Sequence, residues 1–251
     1  MTDKENVALT RFVLSQRIEH ILLLISFGML CLTGLPQRFH DTGWAQWILS
    51  ALGGIGSARV IHHIFAFMLA FEFLYHGIVI AYELLFARRR PLPMLPRRQD
   101  VRDGLRSVAY LSGLRREKPC FDRFDFRQKV EYWAMIWGLV LMGATGFILM
   151  FPVAVTRVLP GVFIPAAKVA HGYEAILAFL AIITWHLYNA HLASGAFPLD
   201  TSIFTGKISS KRMLEEHPLE YEGLAAGQSQ ATRKGSARKK RRHSASQVET
   251  L

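Results

Sequence analysis

Cysteine is almost missing from this sequence, with Cys31 and Cys120 the only two. One pair cannot build a disulfide framework, nor supply the four thiolates of an iron–sulfur cluster. No Cys-x-x-Cys-His occurs, which excludes covalent attachment of a c-type haem. Any metal chemistry must rest on histidine, of which there are ten. Charge is also sparse, at 20% of residues, and one-sided, with 30 Lys and Arg against 19 Asp and Glu. Beside 51% hydrophobic residues and a mean hydropathy of +0.21, that fits an ordinary soluble domain poorly unless charged and apolar residues are segregated. No internal repeat stands out beyond a weak likeness between two histidine-bearing stretches. The inverted repeats and midplane-broken helices of small transporters are missing too.

What is present is segregation. Four apolar stretches, at about Ile18–Leu35, Val60–Phe86, Val130–Phe151 and Val169–His191, each approach the roughly 20 residues a spanning helix needs. They are apolar all round, as lipid-embedded helices are. The first has a long apolar run, no small-residue cleavage site and an internal His20, so it reads as a retained helix rather than a signal. The expected fold is an all-α membrane protein, a bundle of four transmembrane helices.

The net charge of +11 is distributed as topology demands. Residues 87–129 carry 13 Lys and Arg against 5 Asp and Glu, and residues 207–251 carry 10 Lys and Arg. The first connection has only Arg38 and Arg59, and the third only Arg157 and Lys168. The positive-inside rule then puts both termini and the central connection in the cytoplasm. Orientation accounts for the basic runs better than nucleic-acid binding does. Cys31 and Cys120 fall on opposite sides of a membrane face.

The expected organisation is an N-terminal arm over residues 1–17, a membrane domain over 18–191, a cytoplasmic extension over 192–224 and a disordered basic tail over 225–251. The first outer loop, residues 37–59, carries Trp44 and Trp47 as an interfacial belt or a short surface helix. Residues 91–96 are too proline-rich for regular helix, and Asp100–Leu114 reads as a short surface helix. The third span holds Gly138, Gly143, Ala144 and Gly146, small residues that admit a neighbouring helix or a flat macrocycle. Pro160 and Pro165 mark a short outer loop over residues 153–168.

Histidines inside spans are costly and are functional candidates by default. The topology sorts them into two layers: His62, His63 and His171 near the outer surface, His20, His76 and His186 in the inner half. His171 and His186 are separated by about 22 Å of rise and roughly 60° of rotation on one helix, so both can face one interior. A haem iron with two axial imidazoles needs ligands from facing helices at one depth. The outer site pairs His171 with His62 or His63, which point about 100° apart. Sharing an interior with His76 favours His62. The inner site pairs His186 with His20 or His76, and helical geometry does not separate them. His40, His217 and His243 lie in loops or tail and carry no expected role. The methionines read as core filling.

Several stretches then form a pattern: Arg17-Ile18-Glu19-His20, Ser26-Phe27, Thr33-Gly34-Leu35-Pro36, Ile61-His62, Tyr75-His76, His171-Gly172-Tyr173-Glu174-Ala175 and Trp185-His186. Over residues 10–221 the chain resembles the membrane cytochrome b subunits of formate dehydrogenase (its gamma subunit) and nickel–iron hydrogenase. Glu216-His217-Pro218-Leu219-Glu220-Tyr221 is similar to an ending of related cytochromes b encoded with multihaem cytochromes c. The resemblance implies a di-haem four-helix subunit of the bacterial inner membrane. It would pass electrons between the quinone pool, menaquinone or ubiquinone, and a periplasmic redox subunit, an iron–sulfur protein or a multihaem cytochrome c. It further implies two haem b groups on the pairs His20–His186 and His62–His171, leaving His63 and His76 as extra. Such a chain is the electron-transfer subunit of an oxidoreductase complex rather than a stand-alone enzyme. Quinone would bind at the inner side, where Arg17, Glu131, Tyr188 and His191 are the candidates. Arg59 and Lys168 are candidates to neutralise outer haem propionates. The rival reading is a haem-free membrane anchor or small transporter whose histidines bond between helices or relay protons.

Overall fold

The computed structural model describes residues 7–86, 93–117, 119–193 and 196–226. Four helices are long and apolar enough to cross a membrane: α1 (Leu14–Arg38), α3 (Ile55–Leu85), α5 (Phe126–Met150) and a fourth over Phe163–Leu192 whose regular part is α7 (Phe163–Ala181). α2 (Gly43–Ala51) joins the first two, and the turn α6 (Pro152–Val155) follows α5. α1 packs against α2, α3 and α7.

The burial pattern is that of lipid-embedded helices. Large apolar side chains such as Phe71, Leu74, Trp137 and Leu177 point outward and are well exposed. The spans bury small or polar residues instead: Ser26, Thr33, Ala58, Glu72, Thr145, Ala167 and Gly172. Small residues let backbones approach where no hydrophobic driving force joins helices.

Each span begins or ends beyond the expected bounds. α1 runs through Pro36, which removes one helical hydrogen bond only in the last turn. The ladder resumes at once, with Phe39 N–H donating to Leu35 O at 3.0 Å. α7 begins ahead of Pro165, because a proline in the first turn lacks an N–H that would have no helical partner anyway. Beyond Ala181 the fourth span widens into π-type turns over Ile182–His186 and Tyr188–Leu192, an arrangement often found at functional sites. His186 lies in the first of them. The anticipated outer helix is α2, with Ala45 and Leu49 buried and Trp47 73% exposed.

The described residues fall into two compact units, one within residues 10–95 and 128–207, the other within residues 7–9, 96–127 and 208–226. The first holds most of the spans and α8 (Ser202–Thr205). In the second are α4 (Arg98–Leu111), the start of α5, α9 (Ser210–Glu216) and a helical stretch over 218–226. The expected surface helix is thus α4. The arm forms a strand, β1 (Ala8–Thr10), paired with β2 (Lys207–Ser209), before α1 begins. The proline-rich residues 91–92, and nearly all of the basic tail with His243, lie outside the described residues. Residues 225–226, counted with that tail on sequence, are helical. His217 is a second departure: it is 5% exposed and its Nδ1 lies 2.8 Å from the Asp122 carbonyl, so it pins a loop instead of idling.

Candidate functional site

Four of the seven histidines within the spans meet as two facing pairs. His62 on α3 faces His171 on α7, with ring centroids 6.4 Å apart. His20 on α1 faces His186 of the fourth span, with centroids 6.1 Å apart. A metal shared by two imidazoles places the ring centres about 6 Å apart, twice the sum of a ~2 Å metal–nitrogen bond and roughly 1 Å from nitrogen to ring centre. Both pairs have that spacing, and it is longer than any direct hydrogen-bonded contact between two rings would leave.

Hydrogen bonds at the back of the rings set the tautomers of the His62–His171 pair. Thr33 Oγ1 lies 2.7 Å from Met29 O and 2.9 Å from His62 Nδ1. A carbonyl only accepts, so the single hydroxyl proton goes to Met29 and the oxygen accepts from Nδ1–H. Thr145 repeats the device, 2.7 Å from Leu141 O and 3.0 Å from His171 Nδ1. Each ring is left with the Nε2 lone pair free, the state in which imidazole binds a metal.

A glycine stands beside each threonine. A Cβ on Gly34 would fall 2.9 Å from His62 Cε1, and one on Gly146 would fall 3.3 Å from His171 Cε1. Thr33-Gly34 on α1 and Thr145-Gly146 on α5 thus cradle one ring each: the threonine holds the nitrogen and the glycine clears the edge. Gly172, beside His171, is covered by Arg38, whose Nε would lie 3.0 Å from a Cβ there. Arg38 also lies over the Tyr173 ring at 5.7 Å.

The His20–His186 pair is held differently. His186 Nδ1 donates to Glu131 Oε1 at 2.6 Å, a charge-assisted bond across to α5. His20 Nδ1 is buried with no hydrogen-bond partner among the described residues. His76, the other inner candidate, has both nitrogens occupied. Its Nδ1 donates to Glu19 Oε2 at 2.8 Å and its Nε2 accepts from Tyr132 O–H at 2.9 Å. That leaves it no lone pair for a metal and makes it a brace joining α1, α3 and α5. His63 belongs to neither ring pair.

The remaining candidates lie near the N-terminal end of α1 and the C-terminal end of the fourth span without forming one constellation. Arg17 donates through Nη2 to the Phe204 carbonyl, and its Nε is buried without a partner among the described residues. Tyr188 is 55% exposed. His191 Nδ1 accepts from Asp200 N–H at 3.3 Å. Sequence reasoning did not find Thr33, Thr145, Glu19 or Tyr132 as partners of histidines. The one available signal was the Thr-Gly dipeptide, present in the first span and again in the third.

Comparison with known proteins identifies the family. The model of the prokaryotic cytochrome b561 family matches residues 11–197. The cytochrome b556 subunit of formate dehydrogenase from Haemophilus influenzae is 25% identical, over 82% of this chain and 79% of that protein. The cytochrome b556(fdo) subunit of formate dehydrogenase from Escherichia coli is 23% identical, over 87% of this chain and 94% of its own length. The nitrate-inducible b556(Fdn) subunit from the same organism is 22% identical, over 88% and 93% respectively. The chain belongs to the prokaryotic cytochrome b561 family. It is a multi-pass bacterial membrane cytochrome b that binds b-type haem and transfers electrons.

Proposed function

Within that family, we propose that this chain is a di-haem subunit that carries electrons between the quinone pool and a redox subunit on the outer side of the membrane. His62 and His171 would hold one haem b, near the outer surface, and His20 and His186 a second, near the inner. The observation that carries this reading is the pair of ring separations, 6.4 and 6.1 Å, each suited to one shared iron. Bound haem supplies reversible one-electron chemistry; the protein supplies ligation, orientation and a low dielectric.

The side chains divide the work. Thr33 and Thr145 orient the outer imidazoles, and Gly34 and Gly146 keep the rings from being pushed off line. Glu131 orients His186. Arg38 joins Arg59 and Lys168 as a cation available to the carboxylates of an outer haem. His76 ligates nothing.

The formate dehydrogenase subunits it resembles support assembly with a partner that oxidises or reduces substrate. That partner is a periplasmic iron–sulfur protein or multihaem cytochrome c. Both termini are cytoplasmic, a reading that the basic residues 87–129 and 207–251 support through the positive-inside rule. Menaquinone or ubiquinone binds near the inner pair, where Arg17, Tyr188 and His191 are at hand. Glu131, already bonded to His186, would sense the occupant.

The test is purified protein in liposomes, given a reduced quinol and then a membrane-impermeant oxidant outside. Quinol should reduce both haems, and the oxidant should reoxidise both through the outer one. Haems that quinol leaves oxidised would overturn the quinone-linked reading.

A further inference from the structure

α4 is built the wrong way round for a water-soluble surface. Val101, Leu105, Val108 and Leu111 form one apolar stripe at helical spacing, and they are 67%, 68%, 61% and 82% exposed. Leu114, just past the helix, is 81% exposed. The opposite face is the packed one, and it is polar. Asp103 is 9% exposed and accepts from Gln99 Nε2 at 2.7 Å, and Ser107 Oγ donates to the Asp103 carbonyl at 2.7 Å. A helix that buries its aspartate and presents valine and leucine has an apolar medium on its outer side.

We infer that this outer side lies in the headgroup region of the membrane, with Val101, Leu105, Val108 and Leu111 in the lipid and Arg98 and Arg102 on anionic headgroups, while Arg106 pairs with Asp103 at 3.8 Å. Three observations favour lipid over a protein partner. The arginines line one flank of the stripe and are exposed, the placement of an interfacial helix on anionic lipid. A Cβ on Gly104 would lie 3.5 Å from the ring of Phe126, the first residue of a spanning helix. The chain entering α4 is pinned as well, since Trp133 of α5 donates to the Met94 carbonyl at 3.0 Å. α4 thus packs on the first residue of α5.

The experiment uses the full chain with its haems in lipid nanodiscs containing anionic lipid. Cys31 and Cys120 are replaced by serine, and a single cysteine at Val108, Leu105 or Arg102 carries an environment-sensitive fluorophore. The visible haem spectrum selects variants that fold. Labels at Val108 and Leu105 should be quenched by nitroxide on lipid chains and shielded from an aqueous quencher. The label at Arg102 should show the reverse. Replacing anionic by zwitterionic lipid should weaken the lipid quenching at Val108 at least twofold. If all three labels respond alike to the aqueous quencher, the inference is wrong. If Val108 is shielded only after the partner subunits are added, the stripe is a protein interface and the inference is equally wrong.

Discussion

The His62–His171 and His20–His186 pairs, proposed above as the outer and inner haem sites, are built from different parts. At the outer pair both rings are backed by neutral hydroxyls, Thr33 and Thr145, and both are flanked by glycine. At the inner pair one ring leans on the Glu131 carboxylate and the other, His20, has an unpartnered Nδ1 among the described residues. A hydroxyl fixes orientation and tautomer while adding no charge. A carboxylate does both and also pushes electron density toward the metal, favouring its oxidised state. The difference teaches that the outer site is tuned by fit and the inner by charge, so the two should fail differently.

The largest effects come from the ligands. His62→Ala or His171→Ala should remove the outer haem and leave the inner, halving haem per chain in a pyridine haemochrome assay. His20→Ala or His186→Ala should remove the other. His76→Ala should keep both haems and lower stability only by about 1–2 kcal/mol, the scale of lost hydrogen bonds, as seen in thermal unfolding. Loss of a haem in that variant would break the distinction drawn between His20 and His76.

Fit predicts the next effect. Gly34→Ala should cost more outer haem than Gly146→Ala, because its Cβ would fall at 2.9 Å from a ring atom and the other's at 3.3 Å. Haem occupancy and low-spin electron resonance signals would read this, and neither variant should touch the inner signal. Thr33→Val keeps the shape and removes the acceptor, and should weaken outer haem binding about 10-fold, measured by haem retention during titration with a competing haem acceptor.

Charge predicts the smallest effect. Glu131→Gln retains an acceptor but removes the negative charge, so the inner haem should become easier to reduce. Its midpoint potential should rise on the order of 60 mV, a tenfold change in a one-electron equilibrium, while the outer potential stays put. Potentiometric titration checks both together. A shift of equal size in the outer haem would erase the contrast.

Much of this was readable along the chain because it depends on one-dimensional spacing. The four spans announce themselves by length and hydropathy, and His171 and His186 share a face by helical rotation alone. The choice between His20 and His76 was not readable, because both sit at the same depth. It turns on Tyr132, which reaches His76 from a third helix. Thr33 and Thr145 were hidden for the same reason: each bonds a histidine on another helix, 29 and 26 residues away in the chain. The widening of the fourth span at Ile182–His186 leaves no mark in composition, since its residues suit an α-helix equally. Proline misled in the opposite sense, because Pro36 and Pro165 read as boundaries yet sit within the end turns of helices that continue past them.

The central proposal is that each of the two facing histidine pairs holds one haem iron. The decisive measurement is haem quantified per chain of the purified protein, with its reduced-minus-oxidised visible spectrum. The account requires two low-spin b haems for each chain. One haem would mean that one of the facing pairs bridges nothing, and no haem in protein made with ample haem supply would contradict the account outright.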